Sequence, residues 1–87
     1  MDIMEAQMRL KDSVLAKSGI KNPVEKDCKL ISEIIFQKSK NYISESSIKR
    51  LYGFSGSESN FASPFILNSL CQFIGFDDWE TYKNNLS

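Results

Sequence analysis

Polar and basic side chains with the chemistry to contact nucleic acid are concentrated between residues 38 and 50 of this chain. Arg can donate two parallel hydrogen bonds to a guanine edge, and Ser can contact several bases or a phosphate. At helical spacing, Ser46, Lys49 and Arg50, with Ser44 at the helix N-terminus, would face the bases of a major groove. Three others would contact phosphates: Lys38, Lys40 and Ser47. This pattern favours double-stranded DNA as the partner, and the alternative interpretation is an ordinary solvated helix face.

The elements that must position these side chains are two helices separated by a short break. Residues 30–39 form an apolar helical stripe, residues 40–42 interrupt it, and a polar helix is predicted over residues 45–52. A helix, a tight turn and a second, capped helix with basic residues are typical of a helix-turn-helix, whose second helix enters the major groove. We therefore predict a helix-turn-helix at about residues 24–53.

Local signals define the ends of the second helix of this motif. Ser44 is the predicted N-cap, and Ile43 and Ile48 have the spacing of a hydrophobic staple. Gly53 is suited to end the helix, and Asn41 tolerates the left-handed backbone that a tight turn needs. The first helix of the motif is predicted to be the central helix of the fold, because its apolar residues cover more than one side: Val24, Cys28, Leu30, Ile31, Ile34 and Ile35.

Another helix is predicted over residues 3–18, with Asp2 as its N-cap and Gly19 as its C-terminal stop. Its apolar residues fall on one broad face: Ile3, Met4, Met8, Leu10, Val14 and Leu15. We interpret this face as part of the core, and the alternative is a surface for self-association.

Three further helix starts are indicated by capping signals. Asn22 before Pro23 predicts the start of the first helix of the motif, and Ser63 before Pro64 repeats the pattern. Asp77 is the predicted N-cap of a last short helix. No segment alternates convincingly between polar and apolar residues, so the predicted fold class is all-α: a compact five-helix domain with a helix-turn-helix core.

Composition is that of a small globular domain. The chain has 87 residues, of which 41% are hydrophobic, so we predict one helical domain over residues 1–87 with a Gly/Ser-rich loop at residues 53–63. Basic and acidic residues number 11 each, which argues against a protein that binds polyanions through bulk charge alone. Basic residues are nevertheless in excess over residues 38–50, and acidic residues over residues 58–87.

Catalysis and membrane insertion are not expected. The absence of His excludes Ser-His and Cys-His chemistry, and helix capping accounts for the acidic residues near Asp77, so we predict no enzyme, no metal site and no cofactor. Cys28 and Cys71 are predicted to be buried, reduced thiols. No apolar run reaches the length of a membrane span and the N-terminus lacks a signal sequence, so we expect a cytoplasmic protein.

Residues 43–50, the Ser63-Pro64 pair, and the helix that follows with its closing Gly75 resemble the phage-repressor-like helix-turn-helix family. The resemblance covers residues 28–75 and implies that residues 30–39 form the scaffold helix. It further implies that five residues occupy DNA-facing positions: Ser44, Glu45, Ser46, Lys49 and Arg50. The loop after Gly53 is longer than is usual in that family.

The chain is also similar to an uncharacterised bacterial N-terminal helical module. That module has an Ile-Ser-x-x-Thr-Leu-Lys-Arg-like run followed by a Leu-rich helix and a Gly-aromatic-x-x-Trp segment, which residues 75–79 supply here. The resemblance implies a module that precedes unrelated domains and has no assigned ligand.

An alternative function is a protein-interaction or adaptor module that keeps the helix-turn-helix scaffold without binding DNA. The partner protein, or a second copy of the chain, would contact the helix at residues 3–18 or the loop at residues 53–63. Zero net charge favours this alternative. Most aromatic residues are interpreted as core, with Tyr42 and Phe54 as the expected exceptions that could stack on bases or anchor a peptide.

Overall fold

The computed structural model describes residues 2–54 and 62–86 of the chain, and these parts contain five α-helices and no strand. In chain order the helices are α1 (Ile3–Ser18), α2 (Asp27–Ser39), α3 (Glu45–Leu51), α4 (Pro64–Ile74) and α5 (Trp79–Leu86). The prediction of an all-α fold is confirmed. Most of the predicted Gly/Ser-rich loop, residues 55–61, lies outside the described residues.

Three of the predicted N-caps are confirmed by hydrogen bonds. The side chains of Asp2, Ser44 and Ser63 each accept a bond from the backbone amide three residues later, at 2.8, 3.1 and 3.3 Å. A cap of this kind stabilises a helix by about 0.5–2 kcal/mol because it satisfies an amide that has no partner within the helix. Gly19 and Gly75 end α1 and α4 with left-handed backbone, at φ 77° and 107°.

The predicted start of α2 is wrong by several residues. The helix begins at Asp27 rather than after Asn22, and Asn22 does not cap it. The Asp27 carboxylate accepts a hydrogen bond from the Val24 amide at 2.9 Å, and the Asp27 amide donates to the Val24 carbonyl at 2.9 Å. These two bonds close a turn ahead of the helix, and Val24 is 48% exposed rather than part of the apolar arc.

The left-handed residue between α2 and α3 is Lys40, at φ 65°, and not Asn41 as predicted. The chain reverses immediately after α2, where the Lys40 amide donates to the Phe36 carbonyl at 2.8 Å. Asn41 has a different role, since its side-chain amide donates a hydrogen bond to the side chain of Gln72 in α4 at 2.6 Å. Asn41 is thus engaged by a contact with a distant helix, which local propensity does not encode.

The predicted cap of α5 is displaced by one residue. Asp78, not Asp77, accepts a hydrogen bond from the Thr81 amide, at 2.8 Å. This bond lowers the pKa of the Asp78 carboxyl. The backbone carbonyl of Asp77 instead accepts a hydrogen bond from the Gln72 side chain at 3.1 Å, which places Asp77 in the connection between α4 and α5.

The core lies around α4, which packs against α1, α2 and α5, while α2 packs against α3 and α4. The sequence of α4 contains no charged residue, which suits a helix that is surrounded on several sides. The prediction that α2 is the central helix is therefore wrong. Twelve buried side chains form the core: Leu10, Val14, Cys28, Ile31, Ile35, Ile43, Ile48, Leu67, Leu70, Cys71, Phe73 and Tyr82.

The N-terminal part of α1 turns apolar side chains to solvent. Ile3, Met4 and Met8 are 49%, 42% and 60% exposed, so the interpretation of these three residues as core is wrong. The buried side of α1 is instead centred on Leu10 and Val14, and the two methionines lie off that line on the helical surface. Leu30 of α2, predicted to be buried, is likewise 48% exposed.

Candidate nucleic-acid interface

Apolar contacts hold α3 against the body of the protein in one orientation. Ile48 is fully buried, and Ile43, which precedes the cap, is 2% exposed. At the end of α3, the Tyr52 hydroxyl donates to the Lys11 carbonyl of α1 at 2.9 Å. Burial raises the pKa of the Tyr52 phenol, which keeps this donor protonated. The residues on the outer side of α3 are thus presented by a helix fixed at both ends.

Ser46 and Arg50 are exposed on that outer side, one helical turn apart. Arg50 forms no ion pair with any residue that the structure describes. Its side chain borders a groove of about 440 Å³ between α3 and the start of α4, which Ser47 and Ser63 also line. An exposed guanidinium with no partner is free to donate to a carbonyl, a phosphate or a base edge.

Lys49, adjacent to Arg50 in the chain, is in a different situation. Its ammonium group lies 3.4 Å from a carboxylate oxygen of Glu45 and 3.7 Å from one of Glu25. The hydrogen bond with Glu45 raises the pKa of Lys49. Glu25 comes from the turn before α2, so this contact crosses from one element to another. Both carboxylates compete with an external phosphate for the same cation.

The serine hydroxyls at the start of α3 are used inside the helix. The Ser44 hydroxyl accepts from the Ser47 amide and donates to the Ser47 hydroxyl at 3.0 Å. Both residues are half-buried. Their first role is therefore to cap α3, and contact with an external ligand would have to add to these bonds rather than replace them.

Lys38 and Lys40 are exposed at the C-terminal end of α2, a location that suits cations because of the helix dipole. Neither forms an ion pair with a described residue. The predicted site residues therefore divide into three groups. Ser46 and Arg50 share the exposed side of α3, the other α3 residues are bound to one another or to Glu25, and the two lysines lie at the connection between α2 and α3.

Some basic residues contact a carboxylate or an aromatic ring, and others form no such contact with the described residues. Five basic residues contact a carboxylate or an aromatic ring: Arg9, Lys11, Lys17, Lys49 and Lys83. Six form no such contact with the described residues: Lys21, Lys26, Lys29, Lys38, Lys40 and Arg50. All six lie between residues 21 and 50, so the unpaired positive charge is concentrated on α2, α3 and their flanking turns.

Two aromatic side chains near these lysines are exposed. Tyr42 is 64% exposed, as predicted, whereas Phe54 packs against the core and is not the exception expected. The second exposed aromatic is Phe36 of α2, 46% exposed, which lines one groove with Tyr42. Phe36 was not among the predicted site residues, although its position outside the apolar arc of α2 was a usable signal.

Both cysteines are free and fully buried, which confirms the prediction of unpaired thiols. Burial raises the pKa of Cys28 and raises that of Cys71 to about 12.

No helix among residues 2–54 and 62–86 combines the length and the apolar character needed to cross a bilayer. No family model, curated protein or solved structure matches the chain.

Proposed function

We propose that α2, α3 and the connection between them act as a helix-turn-helix that binds double-stranded DNA, with α3 in the major groove. The observation that carries this proposal is the exposed Arg50, which has no ion pair with a described residue and lies one turn from exposed Ser46 on a helix anchored by buried Ile48. Arg is the side chain best suited to a bidentate contact with guanine, and Ser46 supplies a second polar group. The relationship to phage-repressor-like proteins is part of the same proposal.

In this binding mode, Lys38 and Lys40 contact phosphates beside the groove. Lys49 contributes less than Arg50, because Glu45 and Glu25 already hold its ammonium group. A single α3 of seven residues reaches few base pairs, so we include dimerisation in the proposal. Two copies of α3 would then enter successive major grooves on one side of the duplex, about 34 Å apart.

The first experiment measures binding of a labelled duplex by fluorescence anisotropy at about 50 and about 200 mM salt. Arg50→Ala is expected to weaken binding by about 1–3 kcal/mol at both salt concentrations, the cost of one lost bidentate contact with a base. Arg9→Ala is the matched control, because Arg9 lies on α1 and is paired with Glu5 at 3.7 Å. Equal effects of the two substitutions, or none at all, would refute the proposal.

A second experiment separates base recognition from general electrostatic attraction. Sequences are selected from a random duplex pool with the unaltered protein and with Arg50→Lys. Lys keeps the charge of Arg50 but lacks the planar guanidinium that donates two parallel hydrogen bonds. A preference for guanine should therefore be lost, while the dependence of affinity on salt is retained. An unchanged sequence preference would show that Arg50 does not contact a base.

The second candidate function is an adaptor module that binds a protein through α1. The exposure of Ile3, Met4 and Met8 favours it, because flexible methionines are frequent at protein-binding surfaces. Under this function, partner capture survives high salt, Met4→Gln with Met8→Gln abolishes it, and the chain binds no duplex DNA. Duplex binding together with capture that high salt removes would exclude the adaptor function.

A further inference from the structure

A groove on the outer side of α2 is lined by two exposed aromatic side chains. Phe36 and Tyr42 both line it, at 46% and 64% exposure, and its volume is about 180 Å³. The Ser32 hydroxyl, from the same groove, donates a hydrogen bond to the Ile43 carbonyl. This bond ties the backbone next to Tyr42 to α2, so Tyr42 follows α2 at a fixed backbone position beside Phe36.

Unpaired lysines flank the groove along α2. Lys29 precedes Phe36 by seven residues and therefore lies on the same side of the helix, two turns away. Lys40 follows Phe36 by four residues, at the C-terminal end of the helix. Both are exposed, and neither forms an ion pair with a described residue. Glu33, which also lines the groove, provides one negative charge against these cations.

We propose that this surface of α2, formed by Lys29, Phe36, Lys40 and Tyr42, binds single-stranded DNA. One base would occupy the groove and stack on the aromatic rings, while the two lysines contact the flanking phosphates. Proteins that bind unpaired strands commonly combine exposed aromatic rings with a row of basic residues, because every base offers a face for stacking. In a duplex those faces are already stacked on neighbouring bases, so the aromatic part of this surface has no role in duplex binding, and Lys40 is the residue that the two binding modes share.

The test uses a labelled oligodeoxythymidine of about 12 nucleotides, within the site sizes of single-strand binders. Anisotropy titration of the full chain should give binding that weakens about sevenfold between about 50 and about 200 mM salt, as expected for two phosphate contacts. Phe36→Leu and Tyr42→Leu should each weaken binding about tenfold, near the lower end of the effect of one lost stack. Tyr42→Phe, which keeps the ring, should bind within about twofold of the unaltered protein.

Matched controls lie elsewhere on the chain. Phe65 is 56% exposed on α4, and Phe65→Leu should leave the affinity unchanged. Lys29→Gln and Lys40→Gln should each reduce the salt slope by about 0.7, whereas Lys21→Gln should not. Because all the altered side chains of the proposed surface are exposed, far-UV circular dichroism should show the same helix content in every variant.

Four results would overturn the proposal. The first is no anisotropy change at about 100 µM protein, the weak end of non-specific affinities. The second is an equal loss in Phe65→Leu and Phe36→Leu. The third is tighter binding of oligouridine or of an acidic peptide than of the DNA strand through the same residues. The fourth is displacement of the strand by duplex DNA in a manner that depends on Arg50, which would assign the binding to α3.

Discussion

Releasing Lys49 from its two carboxylates should convert it into a DNA contact, if α3 enters a major groove. Its ammonium group lies 3.4 Å from Glu45 and 3.7 Å from Glu25. The combined substitution Glu25→Gln and Glu45→Gln removes both negative charges and keeps side chains of nearly the same shape. The gain would come from the freed cation and from lower repulsion between the protein and the phosphates.

The size of the effect follows from the number of cations gained. One additional Lys–phosphate contact steepens the slope of log affinity against log salt by about 0.9, so the fall in affinity between about 50 and about 200 mM salt grows by about 3.5-fold. Exposed ion pairs of this kind contribute only about 0–1 kcal/mol to folding, so the double variant should remain folded. Loss of Glu45 from the first turn of α3 would cost about 0.3–1 kcal/mol through the helix dipole.

The assay is duplex titration at several salt concentrations, with Glu5→Gln as the matched control because it releases Arg9 from a similar pair on α1. Adding Lys49→Ala to the double variant should return the slope to that of the unaltered protein. Equal slopes for the double variant and the unaltered protein would refute the reasoning. So would an equal gain in Glu5→Gln, because the effect would then be general charge rather than a contact at α3.

Two further predictions concern stability. Ile48→Ala removes a fully buried side chain that anchors α3 and should lower the free energy of unfolding by about 2–5 kcal/mol in urea titration; a loss as small as that of exposed Leu30→Ala would contradict it. Stability should also fall above about pH 9, since the Cys71 thiol, ordinarily at 9.0, has its pKa raised to about 12 by burial. The raised pKa adds stability below pH 9 that is lost as the pH rises towards 12, so Cys71→Ala should flatten the alkaline decline in urea midpoints, and a midpoint independent of pH would refute this assignment.

Capping signals predicted the fold well where the capping side chain and the amide that donates to it lie in one segment. Asp2, Ser44 and Ser63 all cap the helices expected of them, because the bond spans three residues and needs no other element. Prediction failed where another bond competed. Asp27 closes a turn onto Val24, which displaces the start of α2 away from Asn22.

The candidate site was likewise predictable where it depends on one short segment, and not where it depends on contacts between elements. Exposure of Ser46 and Arg50 follows from their helical distance from Ile48, which is a property of one short segment. The pairing of Lys49 with Glu25 does not follow, because the two residues are 24 positions apart and meet only when α3 packs on α2. The groove at Phe36 and Tyr42 likewise depends on a bond between Ser32 and the chain beyond α2.

Zero net charge is compatible with nucleic-acid binding in this chain because its charges are not equally available. The six basic residues without a carboxylate or aromatic partner among the described residues all lie between residues 21 and 50. Over residues 21–50 the chain carries seven basic residues against four acidic ones, Glu25, Asp27, Glu33 and Glu45, so this segment is net positive. A polyanion responds to local potential within about 10 Å at 0.1 M salt rather than to the total charge of the chain. The surface of α2 and the outer side of α3 are therefore where attraction to nucleic acid should act.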